Sequence, residues 1–239
     1  MDVASGKNDR IMPGVAVADY DISRDGRDVV FTTRDKIGEP EIWIAPLDRR
    51  SSPRRLMQSA DQASFDSNGD VFFRVKEQQA NYLYRMSRDG SDRERITSTP
   101  ILIKYGVSPD GEWVAAAVPV PGNDQKSPDR ESVPMATMAI PVHGGAFRRI
   151  CGATCSSKWS ADGRFFYVAD EQMWVIPVPA GTSFPELPAA GIGANETADS
   201  VRGARVIDQG GTPAFGPDPA IYVFPRTALH ANLFRIPLH

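Results

Sequence analysis

The chain has 239 residues, with 27 Lys and Arg against 30 Asp and Glu and a formal net charge of −3. Because the two signs are mixed along the chain, the composition argues against a dedicated nucleic-acid surface, which needs a basic stripe. No apolar run reaches the length of a membrane span, and a chain of this size can bury a single hydrophobic core.

Five tight turns recur along the chain. Each follows a short apolar stretch and combines a small residue, an Asp or Asn and a closing Gly or Pro, at 22–26, 65–69, 107–111, 159–163 and 215–219. Asp-Gly and Asn-Gly favour tight turns because these residues tolerate a positive φ. The turn-closing residues lie 43, 42, 52 and 56 positions apart. A repeat of this length, with β-type sequence between the turns, is typical of propeller blades.

Runs of β-branched and aromatic residues follow each turn and predict the strands of a blade. The predicted second strands lie at 29–31, 71–73, 113–115, 165–168 and 221–224. The predicted third strands lie at 42–45, 82–86, 138–140, 173–176 and 233–236. A short fourth strand in the blades carries arginine, as in Arg55-Leu56. Charged side chains are typical of an outer edge strand, because they discourage pairing with other chains. We therefore expect four antiparallel strands per blade, A to D, with A innermost.

The two ends of the chain predict how the ring closes. Residues 3–11 align with 142–150, a turn and a D strand, whereas 233–239 stop at the end of a C strand. We expect an all-β, five-bladed propeller of four-stranded antiparallel blades, in which the N-terminal strand completes the last blade and leaves no open sheet edge. The alternative is a piece of a longer propeller with more blades upstream. Under the five-bladed prediction, the chain is a single domain of residues 1–239. Its blades then lie at 13–57, 58–98, 99–152, 153–211, and 212–239 together with 1–12.

Cys151 and Cys155 lie at the end of a predicted D strand and the start of the next A strand. One interpretation is a disulfide across this short connection, which requires an oxidising compartment. The other is a pair of small buried thiols in a tight crossover. Two cysteines with no nearby histidine make a poor zinc site, since structural zinc takes four ligands. Both interpretations stay open, and the sequence leaves the location undecided between the periplasm, or another extracytoplasmic space, and the cytoplasm.

The repeat resembles a known family. The segments Val-Ser-Pro-Asp-Gly (107–111) and Trp-Ser-Ala-Asp-Gly (159–163), with a later aromatic strand, a Gly-Gly turn and Arg-Arg-Ile, are similar to the TolB-type, WD40-like (PD40) propeller repeat. The fifth unit departs from it, because Gly216 replaces the small hydroxyl residue and Pro219 replaces the glycine. The ending at 232–238 resembles that of propeller domains at the C-terminal end of bacterial serine/threonine kinases and transcriptional regulators.

This resemblance implies a sensor or interaction module in a bacterial signalling protein, with a kinase or DNA-binding domain upstream. It also implies protein or peptide partners at the propeller mouth. The repeat motifs are structural, so no binding residue of the family can be carried over by motif.

Loops at the channel mouth supply the candidate binding residues. In this fold the B–C and D–A connections converge there, and loops on a rigid scaffold can position polar groups. Their mixed charge suits a peptide or a small polar ligand. The candidates are Arg34, Asp35, Lys76, Lys104, Tyr105, Asp170, Arg226 and His230.

No catalytic motif stands out. The chain has no Gly-x-Ser-x-Gly elbow, and of its three histidines only His230 falls in a predicted B–C loop. We predict no catalytic residue, metal or cofactor, and a non-enzymatic binding or sensor propeller that inserts no segment into a membrane. One alternative is a propeller hydrolase or the gating domain of a peptidase, which shifted pKa values clustered in the channel would favour. The other is a purely structural or oligomerisation domain, which a channel without ligand-sized space would favour.

Overall fold

The computed structural model describes residues 14–120, 134–170, 172–193, 198–207, 214–215, 220 and 222–223. These residues form four antiparallel sheets of four strands, in each of which sequential strands are neighbours. The first two blades contain β1 (Asp19–Ile22), β2 (Asp28–Arg34), β3 (Pro40–Pro46), β4 (Arg54–Gln58), β5 (Ala60–Phe65), β6 (Val71–Glu77), β7 (Ala80–Met86) and β8 (Glu94–Arg95).

The next two blades contain β9 (Ile103–Val107), β10 (Trp113–Pro119), β11 (Met135–Pro141), β12 (Arg148–Cys151), β13 (Ser156–Trp159), β14 (Phe165–Ala169), β15 (Met173–Pro177) and β16 (Arg205–Ile207). A 3₁₀ turn, η1 (Ala198–Ser200), lies in the connection before β16. In the part of the chain that the structure describes, no helix has the length and apolar character needed to cross a membrane.

The A–B turns of three blades are held by the same hydrogen bonds. In blade 1, Ser23 Oγ donates to Asp25 Oδ1 (2.6 Å) and accepts from the Asp28 N–H (2.9 Å). Blades 3 and 4 repeat both bonds, at Ser108 with Asp110 and Trp113, and at Ser160 with Asp162 and Phe165. In blade 2, Asp66 takes the serine position, and its Oδ1 accepts from the N–H groups two and four residues on. The recurrent turn sequence therefore encodes the reversal between the A and B strands.

Adjacent blades pack face to face, because successive residues of a strand point to opposite sides of the sheet. In β6, Phe73 belongs to a buried cluster with Val30 and Ile42 of blade 1. Its neighbour Phe72 belongs to the next cluster, with Val114 of blade 3. Both phenylalanines are fully buried. Alternation along β6, the B strand of blade 2, thus packs one face of that blade against blade 1 and the other face against blade 3.

The connection between β15 and β16 packs against blades 3 and 4. The Phe184 ring lies in the core, with its centroid 5.3 Å from that of Trp113. The Ile192 N–H donates to the Ile150 carbonyl oxygen (2.7 Å), and the Gly152 N–H donates to that of Ile192 (3.3 Å). These bonds cover part of the outer edge of blade 3, which limits pairing with other chains.

The number of blades corrects the predicted fold. The propeller class is confirmed, but the prediction of five four-stranded blades was wrong. The described residues contain four such blades and then a two-stranded pair, β17 (Ala214–Phe215) and β18 (Tyr222–Val223). Gly216 lacks the hydroxyl that closes the serine turns, and Pro219 cannot adopt the positive φ (67°) of Gly26 at the same turn position. The fifth unit therefore lacks the turn chemistry that begins the other blades.

The predicted ring closure is also not supported. The N-terminal strand, residues 3–11, and its expected partner, residues 233–238, both lie outside the described residues. Within the described part of the chain, the first sheet runs from β1 to β4 with no further strand. The prediction depended on aligning short polar segments, and such segments specify strand pairing weakly.

Candidate functional site in the central channel

The A strands of the four blades line a central channel, a cavity of about 690 Å³. Its wall is formed by β1, β5, β9 and β13, and the A–B turns that follow these strands extend it toward one face of the propeller. A cavity of this size can hold a small ligand or part of a peptide. The propeller axis therefore has ligand-sized space.

Lys104 is a buried cation in the channel wall. Its residue surface is 6% exposed, and its Nζ donates to Ser64 Oγ (2.7 Å) across the interface between blades 2 and 3. Its backbone N–H donates to Gln62 Oε1 (2.7 Å). Burial lowers the pKa of the Lys104 ammonium to about 8, although neighbouring carboxylates, Asp21 foremost, oppose the shift. Because desolvation outweighs these charges, the ammonium loses its proton near pH 8 rather than near the usual 10.5.

Asp19 and Asp21 point to the same side of β1, since they are two residues apart. Asp21 Oδ2 accepts a hydrogen bond from the Phe65 N–H of blade 2 (2.9 Å), and Asp19 Oδ1 accepts one from Thr32 Oγ1 (2.9 Å). Burial raises the pKa of both carboxyls, while these hydrogen bonds and the charge of Lys104 oppose the shift. The channel wall of blade 1 therefore carries two partly desolvated carboxyl groups.

A bulge in β5 brings blade 2 into contact with Lys104. The register with β6 shifts between Asp61 and Ser64, and Gln62 has a φ of 55°. A bulge inserts an unpaired residue and re-aims side chains. Arg74 binds Asp61 through two bonds, from Nε to Oδ1 (2.7 Å) and from Nη2 to Oδ2 (2.6 Å). The Asp61 carboxylate is thus paired with Arg74 of its own blade. Gln62 and Ser64, which follow it in the bulge, bind Lys104 of blade 3 instead.

Gly106 allows β9 to approach β13 closely. A Cβ atom at Gly106 would lie 3.2 Å from the Lys158 Cα, which is tighter than an ordinary contact. Lys158 is exposed and lines the channel on blade 4. The cavity therefore presents carboxyl groups on blade 1 and an exposed ammonium on blade 4.

The structure distributes the predicted binding residues over several places. Lys104 and Tyr105 both lie in β9 and line the channel. Burial raises the pKa of the Tyr105 hydroxyl, while a hydrogen bond with Thr137 opposes the shift. Arg34 lines a different cavity of about 810 Å³ beside blade 1. Asp35 holds the B–C turn of that blade, because its Oδ1 accepts two backbone N–H bonds at 2.9 Å.

The remaining predicted residues lie elsewhere. Lys76 and Asp170 are exposed and line neither of these two cavities. Arg226 and His230 lie outside the described residues. Of the eight predicted binding residues, Lys104 and Tyr105 line the channel, and both come from the same A strand.

Four channel residues that form the site, Asp19, Asp21, Ser64 and Lys158, were missed by the sequence prediction, which considered loops. A signal was present, because Asp19-Tyr20-Asp21-Ile22 alternates polar and apolar residues just before the first turn. The residue before that turn is where an A strand ends, and A strands face the axis. Ser64 carried no comparable signal, since its position depends on the bulge.

Cys151 and Cys155 form a disulfide in the structure, with their Cα atoms 6.2 Å apart. Both residues are buried, and the bond spans the connection from blade 3 to blade 4. Beside it, Thr137 Oγ1 donates to the Cys155 carbonyl oxygen (2.9 Å) and accepts from the Cys155 N–H (2.8 Å). These contacts restrain the crossover that leads into β13. The described ranges contain no group of three or more His, Cys, Asp or Glu side chains arranged to hold a metal ion.

Comparisons with solved structures define the class of fold. TolB from Acinetobacter baumannii is 12% identical, with a TM-score of 0.59, and the match covers 87% of this chain and 48% of that one. The TolB-type protein of Agrobacterium tumefaciens is 15% identical, with a TM-score of 0.54, covering 70% of this chain and 60% of that one. A chain of a nidogen–laminin complex is 10% identical, with a TM-score of 0.50, and the match covers 70% of this chain and 62% of that one.

At these identities the likeness establishes the fold, a β-propeller with TolB-type propellers among its structural neighbours. The chain spans about half the length of the Acinetobacter TolB chain. No family model matches the sequence, and no curated protein matches it.

Proposed function

We propose that this propeller is a binding or sensor domain that recognises a protein or peptide partner, or a small polar ligand, through its central channel. The observation that carries the proposal is the channel itself, a cavity of about 690 Å³ with carboxyl groups and ammonium groups on its wall. Positively and negatively charged groups on rigid strands can bind the charged and polar groups of a peptide with little loss of conformational entropy. The size of the cavity counts against a purely structural domain.

Two neighbours in fold support a protein partner. TolB-type propellers are among the similar structures, and another similar chain was solved as part of a complex between nidogen and laminin. Propellers host many activities, so this support is an analogy of fold. The wider context that we propose, a bacterial signalling protein with a kinase or DNA-binding domain upstream, rests on the sequence resemblance alone.

Site-specific photo-crosslinking tests the binding proposal. A benzophenone amino acid replaces Lys158, which is exposed in the channel, or Lys36, which is exposed in the B–C loop of blade 1. Both variants are irradiated in an extract of the source cells, and the products are identified by mass spectrometry. We expect a discrete product from position 158 that position 36 does not give and that Asp21→Asn weakens. Identical products at the two positions, or no product at 158, would contradict recognition through the channel.

A further inference from the structure

We propose that Ser64 and Lys104 form a nucleophile–base pair that accepts an acyl group from an ester or thioester ligand in the channel. The proposal goes beyond binding and begins from one contact, the 2.7 Å hydrogen bond between Lys104 Nζ and Ser64 Oγ inside the cavity. A hydroxyl within hydrogen-bond reach of a base, with the base held by further groups, is the geometry of an activated nucleophile. Serine–lysine pairs are one of its known forms.

The two side chains differ in exposure in the way that this role requires. Ser64 is partly exposed and lines the cavity, so a ligand can reach its hydroxyl. Lys104 is 6% exposed, so its side chain is largely buried and lines the cavity beside Ser64. The bond from the Lys104 N–H to Gln62 Oε1 (2.7 Å) fixes the two A strands relative to each other. The pair is therefore held in place before any ligand arrives.

The surroundings allow Lys104 to act as a base near neutral pH. The charged groups that face it are Asp19 and Asp21 from β1 and Asp61 from β5, and all three favour the ammonium form. Burial favours the neutral amine more strongly and lowers the pKa to about 8. About a tenth of the molecules then carry the neutral amine at pH 7, and about nine-tenths at pH 9. In the neutral state the Ser64 hydroxyl can donate to Nζ along the same contact.

The proposed reaction balances without an oxidant or a cofactor. Ser64 Oγ attacks the acyl carbon of a ligand R–CO–X, and its proton moves to the neutral Nζ of Lys104. The bond from the acyl carbon to X breaks as Lys104 returns that proton to X, so HX leaves and an ester on Ser64 remains. Water then attacks this ester, with Lys104 again taking and returning a proton, and RCOOH leaves.

A fluorophosphonate probe, which labels activated serines, tests the pair on the whole chain, with peptide mapping by tandem mass spectrometry. We expect labelling at Ser64 at a rate that rises about tenfold from pH 7 to pH 9, following the neutral amine. Ser64→Ala should remove the label. Lys104→Arg keeps a cation and a donor but cannot accept the proton in this range, so the rate should fall about 100-fold.

Two substitutions at exposed positions outside the cavity, Ser98→Ala and Lys36→Met, serve as matched controls and should leave the rate unchanged. Circular dichroism and the urea midpoint establish that each variant is folded. The proposal is overturned if folded wild-type protein shows no label at Ser64, or if Lys104→Arg labels as fast as wild type. The pH series needs no variant, and a flat rate between pH 7 and pH 9 would also rule out a lysine base. Because the probe is a small molecule, these outcomes do not depend on partner binding.

Discussion

At the scale of single residues, Lys104 shows how the channel determines the properties of the groups on its wall. A lysine in water keeps its proton well above pH 8, but this one is buried between the A strands of three blades. Its carboxylate neighbours Asp21 and Asp19 oppose the shift without cancelling it, because the desolvation of the ammonium is the larger effect. The cost of burying the cation makes the stability of the fold depend on pH.

The sign of this dependence follows from the direction of the shift. Since the pKa of Lys104 falls from 10.5 in the unfolded chain to about 8 in the fold, the unfolded chain binds more protons between these values. Stability should therefore rise with pH across that window. Between pH 8 and pH 9.5 the Lys104 contribution amounts to about 1–2 kcal/mol, which Lys104→Met should remove. Urea unfolding at the two pH values measures it, with Lys36→Met as the control. Parallel pH profiles for wild type and Lys104→Met would refute the shift.

At the scale of elements, the A–B turns of neighbouring blades contact each other as well as reversing the chain. Gly111, in the turn of blade 3, has a φ of 76°, and a Cβ atom there would lie 2.6 Å from Asp66 Oδ2 in the turn of blade 2. Gly26 has a similar φ of 67° in the turn of blade 1, but a Cβ atom there would meet nothing within 4 Å. Substitutions at these two glycines can thus separate the cost of backbone strain from the cost of a clash between blades.

Alanine at these positions should give unequal losses of stability. Gly26→Ala carries only the strain of a positive φ, about 1 kcal/mol. Gly111→Ala adds a clash with the buried Asp66 carboxyl, whose other oxygen is held by backbone N–H groups, so we expect a loss of about 2–4 kcal/mol. Urea denaturation of both variants measures the difference. Equal losses would mean that the turns of blades 2 and 3 are not in contact.

Much of the element structure could be predicted from the sequence, because it depends on local chemistry. The first four predicted turns and the runs after them fall in the observed turns and in the B and C strands, such as 29–31 in β2 and 71–73 in β6. The channel residues could not be predicted in the same way. The reach of Ser64 to Lys104 depends on a bulge in β5 and on the packing of blade 2 against blade 3, and neither has a local signature.

At the scale of the whole molecule, the repeat predicts a propeller but not the number of blades. Four units carry a serine or aspartate that closes the A–B turn with a glycine, and these four form complete blades. The fifth unit has the spacing of the others without that chemistry, and the residues that the structure describes in it form a two-stranded pair. Spacing alone was therefore a poor guide to the count, whereas the turn residues would have separated the fifth unit from the rest.

The joining of the blades around one polar channel is tested most directly by a double-mutant cycle on Ser64→Ala and Lys104→Met, measured by urea denaturation at pH 7. The two residues lie 40 positions apart, on the A strands of different blades, and are joined by one hydrogen bond. A direct contact of this kind should give a coupling energy of about 1–2 kcal/mol, because either single substitution already removes the bond. The exposed pair Ser98→Ala and Lys36→Met should be additive. Additivity of the channel pair within about 0.3 kcal/mol would contradict the account.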